Sequence, residues 1–201
     1  MLKRKLLTNA VNLFRKKKEQ PIVESSPGKF EVDNLYVEDF KLILKYGKSS
    51  DTIGKYKCCP FVELPYGLVK RELPNLQKQA KFYEMILLVL NYQYDSVDLS
   101  NATGNELMAF LLWLKEQQER LNILELNYLS SDPDPKMVAA GIHQLNELGE
   151  LPTIDSLAGN DILKYEAIEA LPYFRVYEKL KLEKVMRDIN KRYEEIIKNT
   201  K

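Results

Sequence analysis

A single histidine is the first residue whose chemistry could indicate a catalytic site. His143 is the only histidine in a chain of 201 residues, and it lies beside Ile142 in a predicted helix. Its distance in sequence from every serine and cysteine gives no sign of a nucleophile and base pair. We therefore interpret His143 as a surface or packed residue.

Cys58 and Cys59 are the only cysteines, and they are adjacent. Adjacent cysteines can form a disulfide only within a strained ring, and structural zinc sites use spacings such as Cys-x-x-Cys together with further ligands. The pair predicts small buried side chains in a reducing compartment, with no bound metal.

Asp132 and Asp134 resemble a pair of catalytic carboxylates. They alternate with Pro133 and Pro135, and an aspartate just before a proline is typical of a helix cap followed by the first helical position. The eight glycines form neither GxGxxG nor GxxxxGK[ST], so no nucleotide site is predicted. The sequence predicts a protein that is not an enzyme and has no cofactor.

Charge is distributed unevenly along the chain. The first 18 residues contain seven cations and no acid, whereas the remainder contains 23 basic and 29 acidic residues. The cations are Lys3, Arg4, Lys5, Arg15, Lys16, Lys17 and Lys18. Such a segment can bind phosphates, an acidic partner surface or a neighbouring copy, with a solvated tail as the alternative.

The same segment has an amphipathic pattern. Leu2, Leu6, Ala10 and Leu13 fall near one face of a helix, with Phe14 beside them. Leu6, Phe14 and the seven cations therefore form a candidate partner-binding arm. Breaker residues at positions 21–28 predict a flexible joint, which gives three segments: the arm and joint at 1–28, a mixed or irregular segment at 29–63, and a helical domain at 64–201.

The longest apolar runs, at residues 85–90 and 107–114, are much shorter than the about 20 residues that span a bilayer. No apolar stretch of signal-peptide length follows the first cations. We expect neither a transmembrane segment nor secretion.

Helical periodicity dominates after residue 64 and predicts a mainly α fold. It is a bundle of long and short capped helices with an extended, partly irregular amino-terminal arm and room for a small β element. Three longer helices are predicted at 74–90, 135–148 and 173–199. A fourth begins at a capping box formed by Thr103 and Glu106 and reaches about residue 129. A helical turn at 153–158 and a short helix after Asp161 complete the prediction.

The small residues Ala139, Ala140 and Gly141 predict a close approach of another backbone in the middle of helix 135–148. The core is predicted to contain Leu87, Leu107, Phe110, Leu111, Leu114, Leu121, Ile142, Leu145, Ile168, Val176 and Leu180.

One pattern occurs twice. The segments 64–73 and 171–180 both read Leu-Pro-Tyr-x-x-Val-x-x-x-Leu. Each places proline at a predicted helix start with an aromatic residue beside it. Two copies do not establish a repeat array, so we interpret them as segments with the same local structure.

The carboxy-terminal half, from Ser131 to about Tyr193, resembles small virion-associated proteins of tailed bacteriophages, particularly the crAss-like phages. The resemblance rests on Asp132-Pro133-Asp134, Ala139-Ala140-Gly141, Leu145-Asn146, Gly149, Asp155-x-Leu157-Ala158-Gly159-x-Asp161-Ile162-Leu163-Lys164 and Leu171-Pro172-Tyr173.

The resemblance implies a ring, or head-to-tail connector, protein of the virion neck and tail, made in the host cytoplasm. Its implied partners are copies of itself in a ring and the portal or adjacent neck and tail proteins, with non-specific contact to packaged DNA. Two alternatives stay open at this point: a tail-assembly chaperone absent from the mature particle, and a nucleic-acid-binding module that uses the basic arm.

Overall fold

The structure is a computed structural model, and it describes residues 47–131 and 133–200. The fold is mainly helical with one small β-hairpin, which confirms the predicted fold class. The α-helices in these ranges are α1 (Leu73–Lys78), α2 (Phe82–Asn91), α3 (Gly104–Tyr128), α4 (Pro135–Ala139), α5 (Leu151–Ala158), α6 (Tyr165–Glu169) and α7 (Tyr173–Asn199). Three 3-10 segments (Phe61–Glu63, Ile142–Leu148 and Ile162–Lys164) and a π-helical turn (Leu68–Glu72) complete the helical elements there.

The described chain divides into two compact units that interleave in sequence. The first unit contains residues 47–61 and 72–118, and the second contains 62–71 and 119–200. The described chain therefore crosses between the two units three times, after residues 61, 71 and 118.

The first unit contains the hairpin of β1 (Thr52–Ile53) and β2 (Tyr56–Lys57), which pair antiparallel around Gly54. Gly54 has a φ of 54°, a left-handed conformation that glycine adopts without steric cost. Its backbone N–H donates to Glu106 Oε1 at 3.2 Å, which connects the turn to the start of α3.

Helix α3 begins at the predicted capping box. The backbone N–H of Glu106 donates to Thr103 Oγ1 at 3.3 Å, and the backbone N–H of Thr103 donates to Glu106 Oε2 at 2.8 Å. These reciprocal bonds satisfy donors that the first helical turn leaves without partners. The predicted start is confirmed, and the helix ends at Tyr128, one residue before the predicted end.

The buried side of α3 in the first unit differs in part from the predicted stripe. Phe110 and Leu114 are buried as predicted, but Met108 and Leu112 are buried as well, and Leu111 is only half-buried. These four buried residues follow one another at a spacing of two, and residues two apart lie on nearly opposite sides of an α-helix. The helix therefore buries residues on two sides. Leu87 and Leu107 are also half-buried, so the core prediction was wrong for these positions.

Helices α1 and α2 replace the single predicted helix 74–90. The chain breaks at Ala80, whose φ is 55°. The backbone N–H of Lys81 donates to the Leu76 carbonyl at 2.9 Å, and that of Ala80 to the Gln77 carbonyl at 3.0 Å. These two bonds form a Schellman motif, in which the left-handed residue is usually glycine. Because this position holds alanine, the sequence gives no sign that the helix ends here.

Replacing Ala80 with glycine is expected to raise the free energy of unfolding by about 0.5–1 kcal/mol. The left-handed conformation costs an alanine roughly 1–2 kcal/mol, and the greater freedom of glycine in the unfolded chain offsets part of the gain. Urea unfolding checks this. The matched variant Ala109→Gly, inside α3 at negative φ, should instead lower stability by about 1 kcal/mol, and a loss at both positions would contradict the explanation.

In the second unit, the predicted helix 135–148 begins and ends as expected but is broken in the middle. Asp134 accepts the backbone N–H of Lys136 at 2.8 Å, which confirms the cap, and Gly149 follows the last helical residue. Gly141 has a φ of 89°, so α4 stops before it and a 3-10 segment follows. The glycine provides a left-handed residue and not a close approach of backbones.

Two predictions about side chains in this region were also wrong. Ala139 and Ala140 are exposed, so no close packing forms there, and Leu145 is exposed instead of lying in the core. A 3-10 segment has three residues per turn, which moves Leu145 out of the position that an α-helix gives it.

Of the five remaining predicted core residues of the second unit, two are buried and three are not. Leu121 and Val176 are buried as predicted, while Ile142, Ile168 and Leu180 are half-buried. Gly159 ends α5, Asp161 caps the short segment after it by accepting the backbone N–H of Leu163, and α7 spans the predicted residues.

Candidate interaction surfaces

Of the residues singled out for their chemistry, the structure describes His143, Asp134 and both cysteines. His143 is exposed, Asp134 is a helix cap, and Asp132 lies outside the described residues. Cys58 is buried, and burial first, then the neighbouring Cys59, raises the pKa of its thiol. A thiol kept protonated is a poor nucleophile. Among residues 47–131 and 133–200, no group of three or more histidine, cysteine, aspartate or glutamate side chains is placed to hold a metal ion.

A charged cluster inside the second unit joins one lysine, two glutamates and two tyrosines. Lys70 Nζ donates to Glu125 Oε2 at 2.8 Å and lies 3.3 Å from Glu150 Oε1. The hydroxyl of Tyr66 donates to Glu150 and that of Tyr173 donates to Glu125, each at 2.6 Å. We call these five residues the Lys70 cluster.

The repeated Leu-Pro-Tyr segments bring the two tyrosines together. Pro65 and Pro172 form an antiparallel bridge. The backbone N–H of Tyr66 donates to the Leu171 carbonyl at 2.8 Å, and that of Tyr173 donates to the Leu64 carbonyl at 2.9 Å. The two copies therefore pair with each other reciprocally, and the tyrosine rings stack at a centroid distance of 6.2 Å.

The protonation of the Lys70 cluster favours a structural role. Burial, then the hydrogen bond to Glu150, raises the pKa of Tyr66, and burial with the hydrogen bond to Glu125 does the same for Tyr173. Burial alone lowers the pKa of Lys70, but its bonds and charge contacts with both glutamates outweigh this effect and raise the pKa. A lysine kept charged is not a nucleophile, and phenols kept protonated are not bases, so the cluster connects elements of the unit.

The same shifts predict that the second unit loses stability at alkaline pH. Above about pH 10, the pKa of an unfolded tyrosine, the unfolded chain releases protons that Tyr66, Tyr173 and Lys70 retain in the folded state. The folded state then binds more protons, so the free energy of unfolding falls as pH rises, by about 1.4 kcal/mol per pH unit for each retained proton. Below pH 9 these groups should not make the free energy of unfolding depend on pH.

Urea unfolding between pH 8 and pH 11.5, followed by circular dichroism, measures this slope. The variant Tyr66→Phe should show a shallower fall above pH 10, because one titrating group is removed. An unchanged slope in Tyr66→Phe would show that the alkaline loss has another source.

Apolar side chains exposed to solvent are concentrated in the second unit. Among the residues that the structure describes, twenty large apolar side chains are exposed, and nineteen belong to the second unit. The first unit contributes only Tyr92, although it buries more apolar residues than the second unit. Concentrated exposed apolar surface is typical of a protein that binds other protein surfaces.

One group of these side chains follows the second half of α7. Its members are Leu182, Met186, Ile189, Tyr193 and Ile196, each between 44% and 63% exposed. They are separated by four, three, four and three residues, the spacing that places side chains along one side of a helix in a coiled coil. We call this group the α7 stripe. This spacing is hard to recognise in the sequence because many charged residues of α7 lie between the apolar ones.

A second group lies on consecutive short elements between residues 133 and 171, which we call the short-helix region. Neighbouring elements of this region pack against each other, from α4 through the 3-10 segment 142–148 to α5 and α6. Its most exposed apolar residues are Met137, Val138, Leu145, Leu148, Ile162 and Leu163. Leu163 is 89% exposed and Ile162 is 73% exposed, although two adjacent large apolar residues normally favour burial.

The residues of the predicted partner-binding arm lie outside the described residues. These are Lys3, Arg4, Lys5, Leu6, Phe14, Arg15, Lys16, Lys17 and Lys18. The arm therefore stays a prediction from the sequence, while the α7 stripe and the short-helix region are surfaces that the structure adds.

Comparisons of the chain with protein-family models, with curated proteins and with solved structures found no match. In residues 47–131 and 133–200, no helix combines the length and apolarity needed to cross a lipid bilayer.

Proposed function

We propose that this chain is a non-enzymatic structural protein of a phage virion, a ring or connector component of the neck and tail that acts through protein–protein contacts. The observation that carries this proposal is the concentration of exposed apolar side chains in the second unit. Those side chains are exposed in a single copy, and their burial against other copies or neighbouring proteins provides the driving force for assembly.

The arrangement of the two surfaces supports a ring. A closed ring built from identical subunits needs two different surfaces on each copy, one that contacts the next subunit and one that contacts the previous subunit. The α7 stripe and the short-helix region are two such surfaces with different composition. The portal or an adjacent neck protein then binds the surface that the ring leaves exposed.

Quantitative mass spectrometry of purified mature particles, relative to the portal and major capsid proteins, tests the virion role. A copy number similar to that of the portal is the expected result. Absence from particles, with abundant protein in infected cells, would contradict the proposal and indicate a tail-assembly chaperone.

Native mass spectrometry of the purified full chain tests the assembly surface. The variant Ile189→Glu should shift the chain toward monomers, because it places a charge in the α7 stripe. The matched variant Asn122→Glu changes charge equally at an exposed position on α3, away from the stripe, and should assemble like the unmodified chain. Equal assembly of both variants would show that the stripe is not part of the interface.

A further inference from the structure

We propose that the short-helix region is the docking surface for the basic arm, Met1–Lys18, of a neighbouring copy. This inference rests on the proposed assembly function and specifies the partner of one of its surfaces. It combines two properties of the region, its exposed apolar side chains and its negative charge, with the matching properties of one segment of the same chain.

The apolar part of the surface is defined by Ile162 and Leu163. Their side chains are 73% and 89% exposed, and the segment that carries them packs against α5 and α6. The position of the two side chains is therefore fixed by these helices, while the side chains themselves remain available. An amphipathic partner can bury both without rearranging the backbone.

The charge of the region is opposite to that of the arm. Residues 133–171 contain seven acidic side chains and two lysines, a net charge of −5. Some of the acids already have partners, since Glu150 binds Lys70 and Glu169 binds Arg71. Glu147 and Glu166 are exposed, so they can contact an incoming cation.

The arm has the complementary pattern. It combines seven cations and no acid with apolar residues at positions 2, 6, 10 and 13, the spacing of an amphipathic helix. Helix α7 is a poorer partner for it, because α7 contains eight basic and five acidic residues and is itself positive. Charge therefore directs the arm to the short-helix region and away from the α7 stripe.

The chain between the arm and the described residues is long enough for contact between copies. Residues 19–46 separate the arm from Gly47. These 28 residues can extend over at most about 90–100 Å, well beyond the diameter of a small domain. Once another contact holds two copies together, the tethered arm reaches the neighbouring copy at high effective concentration and strengthens the contact between them.

Zero-length carbodiimide cross-linking of the full chain tests this proposal. An equal mixture of ¹⁴N- and ¹⁵N-labelled protein distinguishes cross-links between copies from those within one copy. We expect cross-links of mixed isotope composition that join lysines of the arm to Glu147 or Glu166. Cross-links only within one copy, or from the arm only to acids outside residues 133–171, would overturn the proposal.

Two controls separate apolar recognition from non-specific charge attraction. The variant Leu163→Asp should reduce the mixed-isotope cross-links at least about five-fold, whereas Leu126→Asp, exposed on α3 of the same unit, should leave them unchanged. An excess of synthetic Met1–Lys18 peptide should compete, and a scrambled peptide of equal charge should compete less. Equal competition by both peptides would overturn the proposed apolar recognition.

The outcomes also distinguish this inference from the proposed function. Full-chain assemblies that form without cross-links between the arm and this region would overturn the inference and leave the function standing. A chain that stays monomeric and is absent from particles would overturn the function. If the chain binds DNA with an affinity that falls steeply with salt, and no cross-links join the arm to this region, the arm binds nucleic acid instead.

Discussion

Replacing Phe110 with alanine is expected to lower the free energy of unfolding of the first unit by about 3–5 kcal/mol. Phe110 is fully buried, and its ring centroid lies 5.2 Å from that of Trp113, which in turn contacts Phe61 edge to face at 5.9 Å. Removing the ring eliminates this aromatic contact and leaves a cavity that the surrounding helices fill only in part.

Tryptophan fluorescence during urea unfolding measures this effect, because Trp113 is the only tryptophan of the chain and lies in the first unit. The control is Leu111→Ala, at a half-buried position, where the expected loss is about 1–2 kcal/mol. A larger loss at Leu111 than at Phe110 would show that α3 packs through its other face.

Replacing Lys70 with methionine is expected to lower the stability of the second unit by about 2–4 kcal/mol. Methionine preserves most of the length and volume of the side chain but removes the terminal ammonium group and its charge. Glu125 and Glu150 then face each other in a site where their side chains are only 23% and 25% exposed. Breaking a buried pair by removing one partner leaves an uncompensated charge, and the partial exposure keeps the loss below that of full burial.

Hydrogen exchange at the backbone N–H groups of Tyr66 and Tyr173 measures the local effect, since Trp113 does not report on the second unit. The control Lys179→Met removes an exposed ion pair with Glu183, which should cost less than about 0.5 kcal/mol. Similar exchange in both variants would show that water replaces the missing charge of Lys70.

Local chemistry made the helix ends predictable from the sequence. Thr103 with Glu106, Asp134 and Asp161 cap helices through bonds to residues two or three positions away, so the sequence contains both partners. Gly159 ends α5 because its left-handed conformation is available to glycine. Such features depend little on the rest of the fold.

Breaks inside helices and the choice of buried side were less predictable. Ala80 ends α1 with a residue that normally favours helix, and Gly141 breaks a segment whose apolar spacing fits one continuous helix. Leu145 has the residue type of a core position, but its exposure depends on the elements that pack nearby. Periodicity predicts that an apolar side exists and does not predict what covers it.

The Lys70 cluster could not be predicted from the sequence. The two Leu-Pro-Tyr segments are recognisable as copies in the sequence, but their mutual pairing joins residues 107 positions apart. Nothing in the spacing of Lys70, Glu125 and Glu150 indicates that three helical segments converge. A cluster formed by long-range contacts becomes visible only with the fold.

The bridge between Pro65 and Pro172 has a consequence for the order of events during synthesis. All described residues of the first unit precede position 119, whereas Leu64 and Tyr66 of the second unit lack their backbone partners until Leu171 and Tyr173 have been made. The first unit can therefore fold while the chain is still growing, and the second closes only after residues 171–173 have been made. The exposed apolar surfaces of the second unit consequently reach their final arrangement only after all described residues of the first unit have been made.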